Sequence, residues 1–387
     1  MEYGLHCESV SCSKGLIVLL LMLMHGGSRA TREEFIQALL IDYDSRIQPN
    51  FENDSYTDVN VSLFINSVDS ISEQTMDLKL NMFIQQEWID ERLQFYGLID
   101  SAFLELDSKL IDLIWVPDLY VTNEKSASFH DVTVPNKMLH LYENGRIVYR
   151  LRASITAACP MKLHKYPLDS QVCALYIQSF AFTRNNLRFR WRKVNPIQTN
   201  ENMELPQFEL REHHVSECLS FGGDTEGNFT CIQLQMSFNR NIGYFVIQVY
   251  IPTILIVLLS WVSFWLSIDA VPARISLGIL TVLTLTNQRT NMASSVPQVS
   301  YIKALDVWMA VCLGFVFAAM LEYALVNVME RKDVQKSDSF DPDLSKVKVQ
   351  KRGEQIDRIS RLAFPLVFLG FCALYWIVYT KVVRLYP

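Results

Sequence analysis

Hydrophobic and polar residues alternate along much of the chain between about residues 55 and 240. Residues 59–65, 78–85 and 146–152 each repeat with a period of two. Such alternation is typical of strands with one buried face, and many short strands separated by polar turns predict an all-β sandwich or barrel. Residues 32–46 have helical spacing instead and predict a helix that covers one end of this domain.

The second part of the chain contains four long apolar stretches, each close to the length that a helix needs to cross a bilayer. These stretches are residues 244–266, 275–294, 304–328 and 362–383. An even number of spans returns the chain to the side on which it started. Residues 329–358 carry many Lys and Arg side chains, which favours a cytoplasmic position for this linker and an extracellular one for the N-terminal domain.

Residues 1–30 are predicted to form a secretory signal peptide, because Lys14 precedes a short apolar run and Ala30 offers a small residue for cleavage. The predicted organisation is a signal peptide 1–30, an extracellular β domain 31–243, the first three spans 244–328, a cytoplasmic linker 329–358, and the last span with the C-terminus 359–387.

The second apolar stretch differs from the others in carrying a recurring polar face, which we call the stripe. Its residues recur at spacings of three and four and are Ser276, Leu280, Leu283, Asn287 and Thr290. A polar face inside a bilayer has to meet protein or water. The stripe therefore indicates either a helix that lines a water-filled path between several subunits or a helix packed inside a static bundle.

Composition excludes several classes of function. The net charge of −6 comes without a basic block of the nucleic-acid-binding kind, so no nucleic-acid partner is expected. We find no nucleophile–base pair, metal-ligand cluster or phosphate loop, and we predict no enzyme, catalytic residue, metal or cofactor.

Four cysteines lie in the predicted extracellular domain, which is an oxidising compartment that favours disulfides. They are Cys159, Cys173, Cys218 and Cys231, and they allow three pairings. The same domain carries three sequons, which predict glycosylation at Asn53, Asn60 and Asn228.

Cys159 and Cys173 enclose thirteen residues, which we call the disulfide loop. Its tip, Tyr166-Pro167-Leu168-Asp169, is stiffened by proline and apolar, so it needs a surface to pack against. An ordinary disulfide that links two strands is the simpler alternative. The spacing and the tip resemble the Cys-loop, or pentameric ligand-gated ion channel, family, and the resemblance extends from about residue 33 to the C-terminus.

The resemblance implies an extracellular all-β immunoglobulin-like sandwich plus a four-helix transmembrane bundle, assembled as a homo- or heteropentamer. It implies the disulfides Cys159–Cys173 and Cys218–Cys231, and a multi-pass protein of the plasma membrane in contact with lipid. A postsynaptic location is among the expectations. The implied ligand is a small-molecule agonist.

Residues 271–274, Val-Pro-Ala-Arg, resemble the pore entrance of anion-selective relatives such as glycine- and glutamate-gated chloride channels. Cation-selective relatives place a ring of glutamates there. The resemblance implies chloride as the permeant ion, Arg274 as the charge at the constriction and Leu283 as a hydrophobic gate. The implied pore residues are Pro272, Ala273, Arg274, Ser276, Leu280, Leu283 and Asn287. Leu280 departs from the threonine of many relatives.

Relatives hold the ammonium of an agonist in an aromatic cage between neighbouring subunits. Here the implied binding residues are Tyr120, Ser179, Phe180, Phe221 and Phe229, with Phe83 approaching from the neighbouring subunit and Gln85 two residues after it. Arg150 and Arg152 are further candidates. Gln85 replaces the arginine that grips the agonist carboxylate in relatives, and Gln178 replaces an acidic residue. Arg150 and Arg152 face one side of a strand and offer a replacement anchor, whereas the acidic loop 219–230 would favour a purely cationic amine.

The resemblance also implies how binding reaches the pore. Tyr166, Pro167 and Asp169 should meet the linker at residues 295–301, which contains Pro297, and Asp169 should pair with Arg240.

The sequence thus indicates a ligand-gated chloride channel subunit that is opened by a small amine or amino-acid-like agonist. Two alternatives stay open: a cation-conducting member of the same family, and a non-conducting accessory or adhesion subunit. Arg274 and the missing glutamate count against the first, and the stripe counts against the second.

Overall fold

The computed structural model describes residues 32–51, 55–96, 101–218, 228–267, 270–294, 296–336 and 342–385. The predicted signal peptide, the sequon at Asn53 and the candidate binding residue Phe221 lie outside these described residues.

The described part of the N-terminal domain consists of one short helix followed by twelve strands. The helix is α1 (Arg32–Leu39), and the strands are β1 (Thr57–Ser72), β2 (Asp77–Ile89), β3 (Phe103–Leu106), β4 (Leu119–Val121), β5 (Glu124–Phe129), β6 (Lys137–Tyr142), β7 (Arg146–Ala158), β8 (Ser170–Thr183), β9 (Leu187–Trp191), β10 (Ile197–Thr199), β11 (Phe208–Glu217) and β12 (Phe229–Arg240).

The strands form two sheets that face each other. The larger sheet has the order β10-β1-β2-β7-β6-β3, with β5 paired to β7 and β9 paired to β1, and the smaller sheet has the order β11-β12-β8-β4. Alternate residues of each sheet point into one common core, for example Leu80 and Met82 of β2 and Leu234 and Met236 of β12. The period-two pattern therefore predicted the β-sandwich correctly.

Helix α1 ends at Leu39 and is therefore shorter than the predicted segment 32–46. Beyond its end, Tyr43 makes tertiary hydrogen bonds instead of continuing the helix. Tyr43 donates a hydrogen bond to the carboxylate of Asp90 at 2.8 Å and accepts one from the backbone N–H of Trp115 at 3.0 Å. Asp90 has no exposed surface and is also bonded by Arg92 at 2.7 Å. Burial and the charge of Asp90 raise the pKa of Tyr43, so the phenol stays neutral and keeps donating.

The second domain consists of four helices: α2 (Gly243–Trp265), α3 (Val271–Ser294), α4 (Ala304–Lys336) and α5 (Pro342–Leu385). Three segments of the described chain are long and apolar enough to cross a membrane: Gly243–Trp265, Ala304–Met329 and Gln355–Thr380. Helix α3 is 24 residues long but is less apolar, as its stripe requires. The helix that contains the last span begins well before it, at Pro342.

Aromatic and hydroxyl side chains join α2, α4 and α5 near the end of the bundle that adjoins the β-sandwich. The indole N–H of Trp308 donates to Thr253 Oγ at 3.0 Å, and the hydroxyls of Tyr250 and Tyr375 lie 2.9 Å apart. Such bonds keep polar groups satisfied where lipid replaces water. Gly278 lets α3 approach α4 closely, since a Cβ there would lie 3.3 Å from Met320 Cγ.

We expect Tyr43→Phe to lower the free energy of unfolding by about 1–3 kcal/mol, because buried Asp90 loses a donor and the Trp115 N–H loses its acceptor. Thermal unfolding of the detergent-purified protein measures the change. Tyr56→Phe is the matched control, since the Tyr56 ring packs under Arg188 at 3.6 Å and phenylalanine keeps that contact. Equal unfolding midpoints for the two variants would contradict the prediction.

Candidate functional site

Two of the predicted binding aromatics lie together on the outer face of the smaller sheet. Strand β4 pairs with β8 so that Tyr120 stands opposite Gln178. The rings of Tyr120 and Phe180 meet edge to face with centroids 5.6 Å apart, and Phe180 is 75% exposed. An exposed aromatic ring held by a second ring is a surface on which a cation or an apolar group can bind.

Asp118 holds this pair in place. The Ser179 hydroxyl donates to Asp118 Oδ1 at 2.7 Å, and the backbone N–H of Ala181 donates to Oδ2 at 2.5 Å. Burial and the charge of Asp118 raise the pKa of Tyr120, so its phenol remains neutral near physiological pH. Asp118 was not among the predicted site residues, although it lies only two residues before Tyr120.

Ser179 was predicted to face the candidate site, but it does not. Its side chain is fully buried, and its oxygen also accepts a hydrogen bond from the backbone N–H of Phe182 at 3.0 Å. Its hydroxyl is thus bonded to Asp118 and to the backbone of β8 itself. Ser179 supports the position of Phe180 and is corrected from a binding residue to a supporting one.

The third aromatic, Phe229, is half-buried at the start of β12 and stands opposite Thr183 of β8. The disulfide Cys218–Cys231 joins the ends of β11 and β12, as predicted. Residues 219–227 of this loop, which include Phe221, lie outside the described residues. Asn60 and Asn228 are both exposed, as a glycan acceptor has to be, and their glycosylation stays a prediction.

The remaining candidate binding residues lie on the outer face of the larger sheet. Strands β2 and β7 pair so that Phe83 stands opposite Arg152 and Gln85 stands opposite Arg150. The guanidinium carbons of Arg150 and Arg152 lie 5.6 and 5.7 Å from the centre of the Phe83 ring. The Nε of Arg152 donates to Asn81 at 3.2 Å, whereas the Nε of Arg150 is buried without a hydrogen-bond partner among the described residues.

These two groups of residues cannot form one site within a single chain. The outer faces of the two sheets of a sandwich point in opposite directions. Tyr120 and Phe180 lie on one outer face, and Phe83 and the two arginines lie on the other. A site that contains both groups therefore requires two copies of the domain, placed side by side.

The disulfide loop packs between the sandwich and the helices. Its disulfide, Cys159–Cys173, is present as predicted. Tyr166 and Leu168 of its tip are buried, and the Tyr166 ring meets the ring of Phe245 in α2 edge to face at 5.3 Å. Pro167 is also buried and follows a cis peptide bond. The apolar tip therefore packs partly against α2, a contact that was not predicted from the sequence.

The linker after α3 contacts the disulfide loop through Tyr301. The Tyr301 ring stacks on His164 with centroids 3.9 Å apart, and its hydroxyl accepts the backbone N–H of Leu163 at 3.0 Å. Helix α4 adds two bonds, because the N–H groups of Ala304 and Leu305 donate to carbonyls of the loop. Pro297, which was predicted to take part, is half-buried, and its role stays a prediction.

The predicted ion pair between Asp169 and Arg240 is confirmed. Arg240 Nε lies 2.7 Å from Asp169 Oδ1, and a second contact measures 3.2 Å. The pair is buried, and Arg240 also bonds Glu73, a partner that the sequence analysis missed. Although burial disfavours the charged form, the hydrogen bonds and charges of Asp169 and Glu73 raise the pKa of Arg240. The Arg240 guanidinium lies over the rings of Tyr166 and Phe208 at 4.7 and 4.5 Å.

The stripe on α3 is exposed in the single chain. All five of its residues, Ser276, Leu280, Leu283, Asn287 and Thr290, face outward. Gly278, Thr281 and Leu285 on the other side of the helix are buried against the bundle. Helix α3 is thus turned so that its polar face is free to meet water or the same face of other copies.

Arg274 lies on the buried side of α3 and not beside the stripe, contrary to the prediction. Its side chain has no exposed surface and forms an ion pair with Asp357 of α5 at 2.6 Å. It also donates to the carbonyl of Leu266 at the end of α2. The buried carboxylate attracts the guanidinium inward, so its charge is not presented at an entrance. Pro272 and Ala273 are exposed.

Two family models match the chain. One, described as the neurotransmitter-gated ion-channel ligand binding domain, matches residues 32–242, and this match alone covers more than half of the chain. The other, described as the neurotransmitter-gated ion-channel transmembrane region, matches residues 249–351. The interval between them contains the start of α2, where the structure changes from strands to helices.

Proposed function

We propose that this chain, which belongs to the neurotransmitter-gated ion-channel family and is therefore a subunit of a ligand-gated ion channel, forms an anion-selective pore that opens when an agonist binds between subunits. The family consists of channels and not of enzymes, and its members assemble as pentamers around a membrane pore. The ligand-binding domain indicates a small-molecule agonist. Chloride selectivity, the class of agonist and the site residues are the proposal.

The composition of α3 is the observation that carries anion selectivity. Its only charged residues are Arg274 and Arg289, and residues 271–294 contain no carboxylate. Because Arg274 is paired with Asp357, we do not assign the selectivity to its guanidinium. The exposed Pro272 and Ala273 stand at the N-terminal end of α3, which carries a partial positive charge from the helix dipole. A ring of such helix ends without acidic side chains favours anions at the entrance.

Leu283 is proposed as the gate. It is 56% exposed within the stripe, and Leu280, one turn away, is 61% exposed. Two rings of leucine side chains would narrow the path and exclude water in the closed state, which stops ions without a physical plug.

The agonist site is proposed at the contact between two subunits, where the outer face of one smaller sheet meets the outer face of a neighbouring larger sheet. Tyr120, Phe180 and Phe229 would surround an ammonium group, and Phe83 would close the cage. Arg150 stands directly across the strand pair from Gln85, where relatives carry their carboxylate anchor. The Nε of Arg150 has no hydrogen-bond partner among the residues that the structure describes, which supports an agonist with a carboxylate. We therefore favour an amino-acid-like ligand over a purely cationic amine.

The disulfide loop is proposed to couple this site to the pore. It contacts the start of α2 through Phe245 and the linker after α3 through Tyr301. A movement of the sandwich relative to the helices would therefore act both on α2 and on the linker that follows α3. An agonist opens the channel only to the extent that it binds the open state more tightly than the closed state.

Leu283→Ser should produce agonist-independent current, because a polar ring does not dewet, and this current tests selectivity without a known agonist. We expect lowering of external chloride to shift its reversal potential to positive values, close to the full Nernst shift. Replacement of external sodium by a large cation should leave the potential unchanged. A potential that follows sodium and ignores chloride would establish a cation channel. Surface protein that passes no current would indicate a non-conducting subunit.

Arg150→Gln should raise the half-maximal concentration of a carboxylate-bearing agonist about tenfold or more, since a charged hydrogen bond is lost. A panel of amino acids, simple amines and protons, applied to the wild-type channel, identifies the agonist for this test. Arg146→Gln on the same strand is the control, because Arg146 pairs with Glu87 at 3.0 Å. An unchanged response of Arg150→Gln, or an equal loss for amines that lack a carboxylate, would count against the anchor.

Asp169→Arg and Arg240→Asp should each impair gating strongly, because each leaves like charges buried together at a cost of about 3–5 kcal/mol. The double reversal should recover agonist sensitivity only in part, since the carboxylate introduced at position 240 would then face Glu73. Adding Glu73→Gln should improve the recovery. Agonist responses normalised to surface protein measure the effect, with Lys162→Glu as an exposed control in the same loop. Absence of any recovery in the double and triple variants would show that the pair does not couple.

A further inference from the structure

At the cytoplasmic end of the bundle, one buried side chain, that of Arg274, connects several helices. Arg274 of α3 contacts Asp357 of α5 with two nitrogen–oxygen distances of 2.6 and 3.4 Å. It also bonds the carbonyl of Leu266, the residue that follows α2, and lies 5.5 Å from the ring centre of Tyr323 in α4. Arg274 thus contacts α4, α5 and the end of the chain segment that leaves α2.

Asp357 is what allows Arg274 to remain buried. A guanidinium does not lose its proton in a protein, so a buried arginine needs a counter-charge. The side chain of Asp357 is 3% exposed and that of Arg274 is 0% exposed, so neither charge is solvated by bulk water. If Asp357 became neutral, the guanidinium would be drawn toward water, and water lies on the exposed side of α3.

Groups of α4 near the ion pair make the contact between Arg274 and Asp357 depend on the position of α5. One turn after Asp357, the Ser360 hydroxyl donates to Glu322 Oε1 of α4 at 3.2 Å. The carboxylate of Glu322 interacts electrostatically with both Asp357 and Arg274. Arg274 therefore stands between acidic groups of two helices. A shift of α5 along its axis would change the distance between each acid and the guanidinium.

Arg274 directly follows the residues proposed to form the pore entrance. Pro272 and Ala273 are exposed and precede it, and Ser276, the first residue of the stripe, follows two residues later. Because α3 is continuous from Val271, a rotation or shift at Arg274 moves these residues together. The position of the entrance is thus tied to α5.

We infer that Asp357 is a positioning residue for ion conduction: by holding Arg274 inside the bundle, it sets the radius and the charge of the pore entrance. This inference rests on the proposed function only in taking α3 as the helix that lines the path. It assigns the last helix, which carries no stripe residue, a direct influence on the entrance. Helix α5 is continuous from Pro342 to Asp357, so the segment that precedes the last span is rigidly joined to this contact.

The inference is tested by Asp357→Asn and by the exchange Arg274→Asp with Asp357→Arg. We expect Asp357→Asn to change single-channel conductance about twofold or more, because the released guanidinium alters the entrance. The exchange should return conductance toward the wild-type value. The neighbouring Arg358 is exposed, and Arg358→Gln should leave conductance unchanged. Wild-type conductance in Asp357→Asn, with only the amount of surface protein reduced, would overturn the inference.

Two further measurements keep the test independent of folding and of selectivity. Where a variant does not reach the surface alone, it is expressed with an excess of wild-type subunits, and channels with one variant subunit should show a distinct conductance level. In parallel, Ala273→Cys is labelled from the cytoplasmic side by a maleimide joined to polyethylene glycol and read as a mobility shift of the protein. Asp357→Asn should change the labelling rate several-fold.

An unchanged labelling rate together with unchanged conductance in mixed channels would overturn the positioning role. The proposed anion selectivity fails by a different result, namely a wild-type reversal potential that ignores chloride. Since the thiol reaction reads the entrance in protein that conducts either ion or none, the two failures are distinguishable.

Discussion

The guanidinium of Arg240 is buried at the point where the last strand of the sandwich leads into the first membrane helix. A buried arginine is tolerated only where opposite charges and hydrogen bonds replace water. Asp169 supplies them from the disulfide loop, and Glu73 supplies them from the turn between β1 and β2. Three segments that are distant in the sequence therefore have to be in place together. This requirement holds the disulfide loop beside the end of β12, and from that position Tyr166 and His164 of the loop contact Phe245 and Tyr301.

At the cytoplasmic end of the helical domain, a buried arginine is again stabilised by a buried carboxylate. Arg274 of α3 is buried against Asp357 of α5, and it also contacts Tyr323 of α4 and Leu266, the residue that follows α2. Near the sandwich, the helices pack largely through the aromatic rings of Tyr250, Trp308 and Tyr375. A buried ion pair thus lies at the cytoplasmic end of the bundle, and a second one lies in the sandwich just before the first helix. In this arrangement, both the ligand-binding domain and the last helix hold α3 in position.

The candidate ligand site shows which features of a binding site residue patterns can predict. The motif around Tyr120 and the alternation of Arg150 and Arg152 predicted which residues share a face, because strand periodicity sets side-chain direction. The pattern did not reveal that the Ser179 hydroxyl is buried against Asp118, since that contact joins residues 61 positions apart. Nor did it reveal that Arg150 lies opposite Gln85, which is a matter of register between β2 and β7.

The sequence by itself predicted the β-sandwich, the membrane helices and the stripe on α3, because local periodicity and segment length act over a few residues. The pairing of Asp169 with Arg240 was implied instead by the resemblance to the family, since the two residues are 71 positions apart. Only the tertiary structure decided where Arg274 points. Its partner Asp357 lies 83 residues away on another helix, and the rotation of α3 is set by packing against the whole bundle. A charge at a pore entrance and a charge in a buried ion pair read the same in sequence, because the difference is made by the partner and not by the arginine.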